Sequence, residues 1–188
     1  ELEYKEEKGK LWYIKYGPIT VATTRPETML GDTAVAVNPK DKRYSGLIGK
    51  KVVLPLVGRE IPIVADRLVD SSFGTGAVKI TPAHDLTDSK IAENHKLKTI
   101  KVIDEKGRII NSPEKYQGLN VLQAREKVVQ DLQELDLIEK IEEHIHQIPK
   151  CYRCDTIVEL IPTEQWFLKM EELSKQAMAP VKKGEIRF

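Results

Sequence analysis

Cysteine is nearly absent from this 188-residue sequence, which has only Cys151 and Cys154. A disulfide scaffold of the secreted kind is thereby excluded, and a chain of 21.4 kDa can bury a core without one. Long apolar runs are also missing. The best of them, Val52 to Gly58, has a proline inside and falls far short of the ~18 residues a membrane-spanning helix needs. No signal-peptide pattern opens the chain. Neither sign of charge dominates. Thirty basic against 29 acidic residues leave +1, so the strong basic field of a dedicated nucleic-acid binder is lacking and any RNA partner must be held by local contacts. A C-x-x-C pair without a secretory context points to the cytoplasm. With Glu1 in place of an initiator methionine and a strand-like Glu185-Ile-Arg-Phe188 at its end, the sequence is expected to be a piece of a longer protein.

What is present begins as β chemistry. Before position 84, short apolar runs of period near two are punctuated by Gly and Pro. Candidate strands are Leu11 to Tyr16, Ile19 to Thr24, Ala34 to Asn38, Lys51 to Leu56, Glu60 to Ala65 and Ala77 to Thr81, with Val57-Gly58-Arg59 as a hairpin turn. So many short strands favour a closed or folded-over β architecture over a parallel sheet. After Pro82 the texture changes. Asp85-Leu-Thr-Asp88 reads as an N-cap and acidic first turn of a helix reaching about Leu97. A second helix near 121–136 carries Val121, Leu122, Val128, Val129, Leu132 and Leu135 on one stripe. A strand over Ile138 to Ile148 and a last amphipathic helix near Glu171 to Ala179 follow. The expected fold is therefore α+β: a β-barrel-like domain over residues 1–148 with peripheral helices, then a connecting segment over 149–188.

Two segments concentrate polar groups beside small residues. In Thr23-Thr24-Arg25-Pro26-Glu27-Thr28, a strand ends in two hydroxyls and a cation, and Pro26 stops it, leaving neighbouring donors free for a ligand. The same residues also suit a plain strand-to-turn junction whose threonines cap a helix over Glu27 to Gly31. In Phe73-Gly-Thr-Gly-Ala-Val-Lys79-Ile-Thr81-Pro-Ala-His-Asp85-Leu-Thr-Asp88, Lys79 and Thr81 share a strand face, and Asp85 and Asp88 share a helix face. The group could present one cation, one hydroxyl and two carboxylates to a single cavity, or the two acids could simply cap their helix. His84, His95, His144 and His146 form no metal spacing, and the last two alternate on a strand expected to face solvent. Cys151 and Cys154 supply half of a tetrahedral zinc site.

Taken together, Ala22 to Pro39 (ATTRPETMLGDTAVAVNP) and Gly74 to Asp85 (GTGAVKITPAHD) closely resemble the editing domain of the valyl-type class I aminoacyl-tRNA synthetases. The resemblance continues through Lys115-Tyr-Gln-Gly-Leu119, Cys151-Tyr-Arg-Cys154 and Gln165-Trp-Phe-Leu-Lys-Met170, so it covers essentially the whole chain. Isoleucyl types usually read T-T-x-P-W-T and leucyl types T-T-R-P-D-T at the first segment, whereas Glu27 and Gly31-Asp32-Thr33 suit the valyl type. Leu86-Thr87 departs from the family's usual Pro-Asn. H-x-G-H and K-M-S-K-S, the signatures of the synthetic site, do not occur.

The resemblance implies hydrolysis of mischarged threonyl-tRNA(Val). Valine and threonine are equal in size, and an apolar pocket separates them by only about a hundredfold. A polar hydrolytic pocket corrects the residue. By resemblance, Arg25, Lys79 and Asp88 line it with Phe73 as a wall, Asp85 holds the substrate α-ammonium, and Thr23, Thr24 and Thr81 contact the terminal ribose or position water. The group that takes the water proton, a ribose hydroxyl or Asp85 through water, stays open. No cofactor is implied for editing. Zinc belongs to a complete knuckle, of which Cys151 and Cys154 are half and the other C-x-x-C lies upstream in the family. The implied partners are the tRNA acceptor end carrying threonine and the rest of the synthetase chain, around a monomer with no membrane contact. The alternatives are a non-catalytic RNA-docking or structural insertion, an isoleucyl- or leucyl-type editing domain, and a zinc-ribbon interaction module.

Overall fold

The computed structural model describes residues 2–187. Seven strands, β1 (Leu2–Tyr16), β2 (Ile19–Thr23), β3 (Ala34–Val37), β4 (Lys51–Val53), β5 (Glu60–Ala65), β6 (Ala77–Ile80) and β7 (Ile138–Cys151), form two sheets. The first has order β2-β1-β7, all antiparallel; the second has order β4-β5-β3-β6. The α+β class is as expected, and of the two expected arrangements, closed or folded-over, the sheets are not closed into a barrel: both are open. The second sheet is mixed, because β3 pairs parallel with β5 and antiparallel with β6. Parallel neighbours need a long connection, and the chain from Asn38 to Arg59, which includes β4, supplies it.

Alternation along β3 explains how that sheet is covered on both sides. Val35 and Val37 enter the main core with Trp12, Ile14, Tyr16, Val21 and the apolar residues of a helix; Ala34 and Ala36 face the other way, toward Ile80 and Ile91. Three helices follow: α1 (Leu86–His95), α2 (Val121–Glu134) and α3 (Glu171–Lys182). Asp85 caps α1 through Thr87 N (2.7 Å) and Asp88 N (2.9 Å), and Lys96 ends it in the left-handed region, one residue short of the expected Leu97. Asn120 and Gln123 form a capping box on α2. Its buried stripe is Ala124, Val128, Asp131 and Leu132, whereas Leu122 (63% exposed) and Leu135 (58%) lie outside it. The apolar count had drawn the stripe too wide.

Other differences have local causes. β1 and β7 extend well past the expected Leu11 and Ile148 as a two-stranded arm, their polar residues being spread over a solvated ribbon where no apolar period shows. β4 stops at Val53 because Leu54 turns the chain, accepting from Gly58 N (2.9 Å) while Leu56 takes a positive φ of 65°. Residues 165–170 form no regular element, and Trp166 and Phe167 are exposed. α3 continues through Pro180, and the residues after it to Arg187 form a turn and bend where a strand was expected; Phe188 lies outside the described residues.

Candidate functional site

The two polar segments meet because β2 and β6 lie side by side at the seam between the sheets. Gly74, with φ of 56°, brings its backbone so close to Ala22 that a Cβ would sit 2.5 Å from the alanine methyl. Only glycine fits there. Thr75 adds a donor across the seam, its hydroxyl reaching Thr20 O at 2.7 Å. The cleft that opens beside this seam has a volume of about 850 Å³. Thr23, Thr24, Arg25, Phe73, Lys79, Thr81, Asp85 and Asp88 all line it, so the structure gathers every site residue singled out from the sequence apart from the two cysteines.

The rear of the cleft is a buried polar network. Lys79 Nζ donates to Thr28 Oγ1 (2.7 Å) and Thr81 Oγ1 (2.5 Å) and lies 3.5 Å from Asp32 Oδ1. Thr81 Oγ1 donates to Asp32 Oδ1 at 2.5 Å, and Tyr16 OH donates to Asp32 Oδ2 at 2.7 Å. Burial pushes the Asp32 carboxyl above the usual carboxylate range, with Lys79 and the hydroxyl donors pulling back. Asp88 stands beside the network. It is 7% exposed, and Oδ2 accepts from Thr81 N at 2.8 Å. Burial, aided by the nearby Asp85 carboxylate and opposed by Lys79, raises its pKa to about 7. Asp85 itself is exposed at the mouth, using Oδ1 for the α1 cap.

The second wall is an ion-pair chain. Glu27 is fully buried and accepts two hydrogen bonds from Arg125 (2.8 and 2.9 Å) and one from Arg25 Nε (3.1 Å). Arg25 Nη2 reaches Glu159 at 2.5 Å. Together these hold Glu27 below the ordinary range despite its burial. Arg25 is thus braced on two sides, with Nη1 left without a protein partner among the described residues. Residues 26–31 form a 3-10 turn in which no threonine caps a helix; Thr23 Oγ1 instead accepts from Arg25 N at 3.0 Å. Among the described residues Thr24 makes no side-chain hydrogen bond.

Two histidines line the cleft and differ in kind. His84 Nδ1 donates to Leu160 O (3.0 Å) while Nε2 accepts from Val102 N (3.0 Å), so both nitrogens are spent on structure, and burial lowers the ring's pKa below the usual imidazole value. His144 and His146, expected to face solvent, are half-buried and stacked at 6.1 Å, with Phe73 edge-on to His144 at 5.6 Å. Inward alternation on the long arm is the reason, and Gly9 opposite makes room, since a Cβ there would meet His146 at 2.4 Å. Sequence reasoning missed Thr28, Arg125, Glu159 and His146. Thr28 was within reach, being the third hydroxyl of the first motif; Arg125, about a hundred residues from Glu27, was not.

Cys151 and Cys154 lie past the expected boundary at 148/149, where β7 runs on to Cys151 and the chain folds back to place Val158 to Leu160 in the cleft wall. Cys154 Sγ rests on Thr156 Oγ1 at 3.2 Å. Among the described residues no group of three or more His, Cys, Asp or Glu could hold a metal ion. Two thiols are half of what zinc takes, so these residues do not fit a complete zinc site.

Comparison with known proteins gives the class, the editing domains of the aminoacyl-tRNA synthetases, and solved structures share the fold. GlLeuRS-CP1 superposes with a TM-score of 0.55 at 15% identity, covering 74% of this chain and 99% of that one. A leucyl-tRNA synthetase of Agrobacterium radiobacter, solved in a ternary complex with tRNA and LeuAMS, gives 0.53 at 17% identity over 92% of this chain and 28% of its own. The family model described as leucyl-tRNA synthetase, editing domain, matches residues 40–146, and the chain belongs to that family of editing domains. Within it the likeness is to the valyl type. Valine–tRNA ligases of Thermotoga maritima and Petrotoga mobilis are 54% and 53% identical across the whole chain, which spans 22% of their length.

Proposed function

We propose that this chain hydrolyses the ester of threonyl-tRNA(Val), as the post-transfer editing site of a valine–tRNA ligase. The supporting observation is the convergence of eight motif residues on one cleft that has a buried polar network at its rear. The reaction is attack of water on an activated ester, which needs an oriented water and donors for the developing oxyanion; it calls for neither a covalent nucleophile nor a cofactor. Asp85, exposed at the mouth with one carboxylate oxygen outside its cap, pairs with the substrate α-ammonium. Phe73 and the braced Arg25 form the walls, and Asp88 lies where the side chain would be read. Thr23 and Thr24 border the path of the terminal ribose. Residues 1–148 carry the site, and 149–188 lead toward the rest of the ligase while contributing Glu159 to the wall.

The test is release of threonine from threonyl-tRNA(Val), measured with this chain and with the ligase that carries such a domain. Hydrolysis well above the spontaneous rate supports the reading. Tight tRNA binding without hydrolysis in either form supports the docking alternative instead.

A further inference from the structure

Glu159 belongs to neither motif and lies past the family-matched residues 40–146, yet it stands in the cleft wall. Its segment first folds back on β7: Cys151 N donates to Thr156 O (2.9 Å), Lys150 pairs with Ile157, and Val158 N donates to Pro149 O (2.9 Å). After Val158 the contacts pass to the cleft. Glu159 Oε2 accepts from Arg25 Nη2 at 2.5 Å, and Leu160 O accepts from His84 Nδ1 at 3.0 Å. Two adjacent residues of the connecting segment are thus tied one to each motif segment.

A guanidinium is a rigid plane carrying five N–H donors. On Arg25 the Nε donor goes to Glu27 Oε1 (3.1 Å), and Glu27 is itself held by Arg125 (2.8 and 2.9 Å). That single bond leaves the plane free to turn about it. The second bond, to Glu159, removes this freedom, and because the group is planar it fixes Nη1 as well. The side chains of the pair are only 31% and 18% exposed, so water and salt screen it less than they do a surface pair.

We propose that Glu159 is a positioning residue for the hydrolytic reaction, acting through Arg25 to set the direction in which the remaining guanidinium donors meet a ligand in the cleft. The site is then complete only with residues 156–160 seated, although neither motif contains them. A misplacement of about 1 Å can cost a reaction up to about a hundredfold, so the orientation of a wall cation bears on rate more than on capture of the substrate. The inference rests on the editing reading and adds to it a residue of the connecting segment.

The test is the hydrolysis of threonyl-tRNA(Val), resolved into kcat and KM, in whichever of the two forms, chain or ligase, hydrolyses it, with thermal unfolding as the check on folding. Glu159→Ala is expected to lower kcat by about tenfold and to leave KM within about threefold. Glu159→Gln, which keeps an oxygen acceptor at the same reach, is expected to return kcat to within about threefold of wild type. Should Glu159→Ala not fold, Glu159→Asp, shorter by one methylene, takes its place and is read in the same way. An unchanged kcat per folded molecule overturns the proposal and makes the pair a structural tie. A raised kcat overturns it too, since the segment would then obstruct the cleft. A Glu159→Gln as slow as Glu159→Ala also overturns it, because the charge of the group and not the place of its acceptor would then matter. A wild type that hydrolyses nothing in either form overturns the editing reading itself, whereas an active wild type with an indifferent Glu159→Ala overturns this inference alone.

Discussion

Asp88 and Asp131 are both carboxylates on the inner side of a helix, each less than a tenth exposed, and their surroundings drive them in opposite directions. At the seam between α2 and the 115–116 turn, Asp131 meets Lys115 (2.6 Å), Lys127 (3.0 Å) and the Tyr116 hydroxyl (2.5 Å). These outweigh its burial and hold it at about 2. In the cleft, Asp88 has one backbone N–H and a neighbouring carboxylate, and burial raises it to about 7. A fully partnered acid is architecture. An under-partnered one beside an open cavity is a candidate for a site.

Removing the structural acid should have the largest effect. Asp131→Ala strands the buried Tyr116 hydroxyl and is expected to destabilise the fold by about 1 to 3 kcal/mol, as read by denaturant unfolding, while deacylation per folded molecule stays unchanged. Asp85→Asn should do the reverse. The amide oxygen can still cap α1, so stability holds, but the charge for the substrate ammonium is gone and deacylation falls by at least about tenfold. Activity within twofold of wild type would remove Asp85 from the ammonium site.

The comparison sharpens in the pH dependence of stability. Asp131 lies below its unfolded value, so its contribution is present above about pH 4 and is lost as the pH falls toward 2. Asp88 lies above its unfolded value, so its contribution is fullest below about pH 4 and declines as the pH rises toward 7. Asp88→Asn, which still accepts from Thr81 N, should flatten the decline between about pH 4 and 7 and leave the acid limb in place. The smallest expected signal is metal: elemental analysis after dialysis against a mild chelator should find no stoichiometric zinc, because Cys151 and Cys154 stand without further ligands among the described residues. One retained zinc per chain would show that ligands have been missed.

These regions also differ in how far the sequence discloses them. The Lys79 and Thr81 face, the Asp85 cap and the meeting of the two motifs follow from alternation, capping rules and family resemblance. What holds them was hidden. Glu27 lies in a buried turn and needs a cation, but nothing local says that the cation is Arg125 on α2. Asp32 served to mark the valyl type, with no hint that it sits 2.5 Å from Thr81 Oγ1. Whether the strands close into a barrel was not legible, because strand count does not set register: the Asn38–Arg59 excursion makes β3 and β5 parallel and leaves the sheets open. His144 and His146 were misplaced for a related reason, since alternation gives two faces without saying which one the arm turns inward.

The measurement that bears most directly on the account is the pair of deacylation rates on threonyl- and valyl-tRNA(Val), corrected for spontaneous hydrolysis, for the wild type and Asp88→Ala. The account predicts that the wild type favours the threonyl ester by about tenfold or more, and that Asp88→Ala narrows the ratio mainly by slowing threonine. A stably folded Asp88→Ala with an unchanged ratio would contradict it, returning Asp88 to the same structural class as Asp131.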